Sequence, residues 1–159
     1  MKPRTHLAPA ESQPNPNCMP GALPILHWRN DRTSGTDTIT YNNGYMMVPE
    51  AGDYFVYTQI TFFCPDGKCK DMTYCGRNVS EETSITQIIS KLSSSYGSQP
   101  IQQLATSVYI GEKDKWKKTL YLGGVIQLRR HDKLMVNISN PTLVVTRSPE
   151  ITFFGAFLI

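Results

Sequence analysis

His6, His27 and His131 are the side chains best suited to proton or metal chemistry, and none stands in a recognisable ligand or triad motif. The chain carries no Gly-rich phosphate loop, no H-E-x-x-H helix and no G-x-S-x-G elbow. Cys64, Cys69 and Cys75 crowd together, and such a cluster could bind zinc. No second ligand pair follows at finger spacing, however, and Pro65-Asp66-Gly67 between the first two is a strong turn. A local disulfide is the better reading. Asp132-Lys133 reads as a turn, not an acid–base pair. The basic run Lys113, Lys115, Lys117 and Lys118 reads as a solvated loop, with a partner contact as the alternative. The residues point away from an enzyme, a metal site or any cofactor.

Other chemistry concerns modification. Asn78-Val79-Ser80 and Asn137-Ile138-Ser139 are glycosylation sequons, whereas Asn140-Pro141-Thr142 is blocked by its proline. Clustered cysteines and sequons together favour an extracellular, oxidising setting. The net charge of +3 is mild, and the Lys and Arg are too scattered for a nucleic-acid surface. No apolar run approaches the roughly 20 residues of a membrane span. The start, Met1-Lys2-Pro3-Arg4, lacks the apolar region of a signal peptide. Anchoring would therefore need a segment absent from this chain.

The elements that would position these residues are strands. A length of 159 residues suits one domain. Eight Tyr and six Phe, with many Val, Ile and Thr, favour strand, and eleven Gly with eleven Pro supply turns. Residues 1–24 are Pro-rich and read as a flexible segment with one short edge strand at Thr5-His6-Leu7. From residue 25 to 159 the pattern is strand, turn, strand. Tyr54 to Phe63 places Tyr54, Val56, Thr58, Ile60 and Phe62 on one face and Phe55, Tyr57, Gln59, Thr61 and Phe63 on the other. Further strands are expected at Ala105–Ile110, Thr119–Leu128, Lys133–Ser139 and Thr142–Thr146. Ile85, Ile88, Ile89 and Leu92 instead fit a helix template, in conflict with their β surroundings. The terminal Thr152–Ile159 is apolar on both faces. Burying one Phe or Leu is worth roughly 1.5–3 kcal/mol, so its outer face calls for a second copy of the chain. Spacing of short strands and turns suggests an all-β sandwich or jelly roll.

Assembled in order, several motifs resemble the tumour necrosis factor (TNF) superfamily. They are Leu26-His27-Trp28, the run from Val48-Pro49-Glu50-Ala51-Gly52-Asp53 to Phe62, Tyr121-Leu122-Gly123-Gly124, Asp132 to Ser139, and Thr152 to Leu158. The resemblance spans Arg4 to Ile159. It implies a two-sheet jelly-roll sandwich assembled as a homotrimer, the extracellular ectodomain of a type II membrane protein that can be shed. It also implies a ligand for TNF-receptor-family ectodomains, death-domain receptors among them, bound in grooves between protomers. It overrides the helix template at Ile85–Leu92 in favour of a strand. A complement-type globular head, also a trimeric jelly roll, is the alternative; its Gly-X-Y stalk is not seen here.

The resemblance also assigns roles. Tyr57, Tyr121 and Phe153 match aromatic positions near the three-fold axis, with Gly124 allowing close approach. Tyr96, on the loop Ser93 to Pro100, matches a tyrosine that many members insert into the receptor. A large side chain on a Ser/Gly/Pro loop has no local core to join, which supports a hot spot independently. Arg29, Asn30 and Arg32 form a second candidate receptor patch, and Arg147 to Glu150 a third; both also read as ordinary charged loops. Cys69 matches a loop cysteine whose usual partner position is here Tyr109. Cys69 is then left to pair with Cys64 or Cys75, or to stay free. Alternation in Leu134, Val136 and Ile138 turns Asn137 outward, where a glycan could sit.

Overall fold

The computed structural model describes residues 2–13, 23–30, 38–65, 73–74, 77–78, 84–93, 99–111 and 115–159. Twelve strands follow in chain order: β1 (Arg4–Pro9), β2 (Trp28–Arg29), β3 (Thr40–Asn42), β4 (Tyr45–Met47), β5 (Gly52–Cys64), β6 (Thr73–Tyr74), β7 (Arg77–Asn78), β8 (Ser84–Leu92), β9 (Ile101–Tyr109), β10 (Trp116–Leu128), β11 (Lys133–Ile138) and β12 (Phe153–Leu158). They form two antiparallel five-stranded sheets, β10-β5-β12-β1-β2 and β3-β4-β11-β8-β9, and a small β6-β7 ribbon. This is the all-β, two-sheet jelly-roll sandwich.

Alternation builds the core. Tyr54, Val56, Ile60 and Phe62 of β5, with Phe154 and Ala156 of β12, face Ile85 and Ile89 of β8 and Leu134, Val136 and Ile138 of β11. A polar staple crosses between the sheets. Buried Gln87 accepts from Thr58 Oγ1 at 3.2 Å and donates to the Leu120 carbonyl at 3.2 Å; Thr58 Oγ1 also lies 3.0 Å from the Phe153 carbonyl. Every polar atom of that amide has a partner, which is the condition for burying it.

The strand that the resemblance implied at Ile85–Leu92 is present, against the helix template, and two other local expectations change. The Ile85–Leu92 segment is strand β8, because pairing with β11 and β9 satisfies its backbone on both sides. Gln87 takes the inward position between Ile85 and Ile89. Thr142–Thr146 is not a regular strand. Pro141 lacks an N–H and starts a 3-10 turn over Pro141–Leu143, leaving one bridge, Val144 with Phe62. The N-terminal strand is longer than Thr5-His6-Leu7 and is no edge: β1 lies between β12 and β2, with Leu7 and Ala8 buried.

Candidate assembly face and receptor-contact residues

The outward side of the first sheet consists of three rows read across the strands. The middle row is Gly123, Tyr57, Gly155 and His6, from β10, β5, β12 and β1. One row on, Tyr121 pairs Gln59 and Gln59 pairs Phe153. On the other side, Val125, Phe55, Phe157 and Arg4 align.

The two glycines of the middle row give the rings their places. Gly155 leaves the space over which Tyr57 lies: a Cβ there would run into the phenol Oη and Cζ, and would stand 2.9 Å from the Thr5 carbonyl oxygen. Tyr57 Oη reaches across Gly155 to His6 Nδ1 at 2.7 Å. The Tyr121 ring lies over Gly123 in the same way, its Oη 2.9 Å from where a Cβ would stand. Ring contacts knit the face together, His6–Phe153 at 5.2 Å, Tyr57–Phe153 at 6.0 Å, Phe55–Tyr57 at 6.1 Å and Phe55–Phe157 at 5.6 Å between centroids. On the isolated chain Tyr121 is 55% exposed, Val125 59% and Phe157 44%. With half-buried Phe55, Tyr57 and Phe153 among them, these residues make a contiguous apolar surface of the kind found at interaction sites.

The structure thus brings Tyr57, Tyr121 and Phe153 onto one face of one sheet. Gly124 does not join them. The pleat reverses at each residue, so a Cβ at Gly124 would point between the sheets, 3.3 Å from Leu104 Cδ1. Of the Gly123-Gly124 pair, Gly123 is the one on the outer face. His6, Phe55, Gly155 and Phe157 were missed from sequence. The repeat Phe153-x-Gly155-x-Phe157 is the signal that could have found two of them, being one face of a strand.

Tyr96 and Arg32 lie outside the described residues. Arg29 ends β2 half-buried, its Nε donating to the Pro9 carbonyl at 3.1 Å, and Asn30 follows it, exposed. Arg147 and Glu150 are exposed on the connection into β12, where the Ser148 carbonyl accepts from Ile151 N and Thr152 N. These two patches stand on separate connections. Cys64 closes β5, buried and disulfide-bonded; Cys18, Cys69 and Cys75 lie outside the described residues. Tyr109 ends β9 at 73% exposure. Among the described residues, no cluster of three or more His, Cys, Asp or Glu could hold a metal, and no helix is long and apolar enough to cross a membrane.

Asn78 ends β7. Asn137 leaves β11 on the side opposite Leu134, Val136 and Ile138, as alternation implies, and is half-buried there. Its Nδ2 donates to the Leu23 carbonyl at 3.1 Å and its Oδ1 accepts from Ser90 Oγ at 3.0 Å. The cause is tertiary: residues 24–26 run beside β11, with Ile138 N bonded to the Pro24 carbonyl and Leu26 N to the Val136 carbonyl. Some titratable groups are shifted by their surroundings. Burial lowers the His27 pKa below its ordinary value. Burial raises Tyr41, opposed by hydrogen bonds its oxygen accepts from Trp28 N and Gly44 N.

The fold is thus a two-sheet antiparallel jelly roll with an aromatic outer face. The model of the TNF (Tumour Necrosis Factor) family matches residues 26–159, and the chain belongs to that family. It is 38% identical to Tumor necrosis factor ligand superfamily member 15 of Mus musculus, over 99% of this chain and 63% of that protein. The Rattus norvegicus protein of the same name is 36% identical over the same shares. Lymphotoxin-alpha of Homo sapiens is 31% identical over 99% of this chain and 75% of that protein. Gly52-Asp53-Tyr54-Phe55 and Asp132 to Asn137, with Ser95-Tyr96, most resemble the vascular endothelial growth inhibitor, in agreement with the two rodent relatives. The chain spans about 63% of the length of those two. Members of the family are cytokines, not enzymes.

Proposed function

We propose that this chain assembles as a homotrimer through the aromatic face and that the trimer is an extracellular cytokine ligand for a TNF-receptor-family ectodomain. The observation that carries the assembly is the ring cluster of exposed Tyr121 and Phe157 with half-buried Phe55, Tyr57 and Phe153, on a sheet whose other side is already the core. A ring closed by head-to-tail contacts needs a second, different surface on the neighbour. The β9–β10 flank offers one, with Ile101 at 44%, Val108 at 36% and Tyr109 at 73% exposure. Grooves between protomers would then present Tyr96 as the anchor to a death-domain receptor, with Arg29, Asn30, Arg32, Arg147 and Glu150 at their rims. The whole protein would be a type II membrane protein whose ectodomain can be shed, and Asn78 would carry a glycan. The family match favours this reading over a complement-type head.

Sedimentation at micromolar concentration tests the assembly, and a monomer refutes it. Tyr96→Ala tests the groove: a hot-spot loss of 2 kcal/mol or more weakens binding to the cognate receptor, found by screening TNF-receptor-family ectodomains, by roughly 30-fold. The variant should sediment as the parent does. Unchanged receptor affinity overturns the assignment of Tyr96.

A further inference from the structure

Across the sandwich from the aromatic face, the outward side of the second sheet carries a concavity of about 340 Å³, lined by Thr40, Asn42, Asn43, Tyr45, Met47 and Lys133. Its size falls within the range of small-molecule sites. Alternation places the lining. Ile39 and Met46 are buried, so Thr40 and Asn42 of β3, with Tyr45 and Met47 of β4, leave on the other side. Lys133 stands on β11 opposite Met47, which is itself opposite Thr40. Asn43 and Gly44 join β3 to β4, both at positive φ (51° and 96°), the two-residue turn that holds a hairpin in one register. Neither surface assigned to assembly includes this site: it lies at the β3 edge of the second sheet, and β9 is the opposite edge. None of the candidate receptor-contact residues lines it.

The lining is mostly polar and holds no carboxylate. Among the described residues, the side chains of Thr40, Asn42 and Asn43 make no hydrogen bond, and Lys133 makes no ion pair. Lys133 Nζ stands over the Tyr45 ring, 5.6 Å from its centroid, which holds the cation at the rim. Amides and a hydroxyl both donate and accept, as sugar hydroxyls do, and the ammonium is a point charge for an anion. More cations adjoin. Arg129, Arg130 and His131 are exposed on the turn before Lys133. His131 N donates to the Val48 carbonyl and Val48 N to the Asp132 carbonyl, so that turn is tied to the residue after Met47. The Asp132 carboxylate is buried in the turn, accepting from Arg129 N at 2.9 Å. Neutral donors and acceptors beside a fixed cation, with further cations along the margin, match a saccharide that bears several anionic groups.

We propose that this concavity binds a sulfated saccharide, its hydroxyls on Thr40, Asn42 and Asn43, one sulfate on Lys133, and the sugar chain running toward Arg130 and His131.

A heparin tetrasaccharide is the probe, titrated into the 159-residue chain by calorimetry at physiological salt. Saturable binding at one molecule per chain is expected. Lys133→Met should weaken it about tenfold or more, as loss of a charged hydrogen bond does. Asn42→Asp, which sets a carboxylate in the lining, should weaken it likewise. Both residues are exposed, so their replacement leaves the core untouched. Lys115→Met removes the same charge beside the start of β10, at the far end from the turn, and should leave binding unchanged. Maltotetraose, which lacks an anionic group, and linear tetraphosphate, which lacks the sugar, should each bind about tenfold more weakly or worse. Absent saturation, unchanged affinity in Lys133→Met or Asn42→Asp, an equal loss in Lys115→Met, or equal affinity for either control ligand overturns the proposal.

Discussion

Gly155→Ala probes the aromatic face at its tightest point. The new methyl would meet the Tyr57 phenol and stand 2.9 Å from the Thr5 carbonyl oxygen. The ring can swing away, since it is the far end of a side chain. It would then lose the 2.7 Å bond to His6 and its edge contact with Phe153. The Thr5 carbonyl cannot yield as easily, because β1 is held to β12 in register, Thr5 opposite Ala156. Overpacking a fixed site costs about 1–3 kcal/mol, and the lost hydrogen bond about 0.5–1.5 kcal/mol. The sum is roughly 1.5–4.5 kcal/mol. For a chain of this size that lowers Tm by roughly 3–18 °C. Thermal denaturation by circular dichroism reads it, at one fixed chain concentration because assembly itself shifts Tm. The cycle with Tyr57→Ala isolates the ring: most of the Gly155→Ala penalty should vanish in that background, leaving the part due to Thr5. A Gly155→Ala loss below about 0.5 kcal/mol, or an equal loss in both backgrounds, would refute the geometry on which the face is built.

Two further outcomes follow from side chains elsewhere. His27 has a folded-state pKa below the ordinary 6.5, with burial as the cause. The folded state therefore disfavours the proton, so this contribution to stability is present above pH 6.5 and fades as pH falls through the depressed value. Replacing it, as His27→Asn, should flatten the fall in Tm between pH 7.5 and pH 5, and parallel profiles of the two proteins would contradict this. Asn137→Ala removes the bonds to Leu23 and Ser90 and should cost about 1–3 kcal/mol in urea denaturation. Mass spectrometry of chain from glycosylating cells should find glycan on Asn78 and not on Asn137, whose amide nitrogen is committed to Leu23.

Much of the fold was legible because strands declare themselves by a period of two. The two faces of Tyr54–Phe63 separate in β5 as the alternation implies, with Tyr54, Val56, Ile60 and Phe62 in the core. The Ile85–Leu92 segment shows the limit of such patterns. Four apolar residues at helical spacing form a strand because β9 and β11 stand on either side, and Gln87 can face inward only because Thr58 and the Leu120 carbonyl meet it there. Pro141 shows the reverse: one residue without an N–H ends the pattern where apolar content alone suggested another strand.

The face itself divides in the same way. That Thr152–Ile159 needs cover on both sides is a property of its residue types, so the sequence alone determined that this strand presents an apolar outer face; the ligand reading came from the motifs that resemble the TNF superfamily. Which residues make the surface was decided by register across four strands, a relation between segments far apart in the chain. Alternation within β10 put Gly123 under Tyr121, while the packing of the two sheets set Leu104 against Gly124. Register set His6 beside Tyr57, 51 residues away, across a glycine with no side chain to block them. It also drew the segment before Trp28 along β11 and engaged Asn137. Local alternation says which way a side chain leaves its own strand; only the pairing of strands says what it meets.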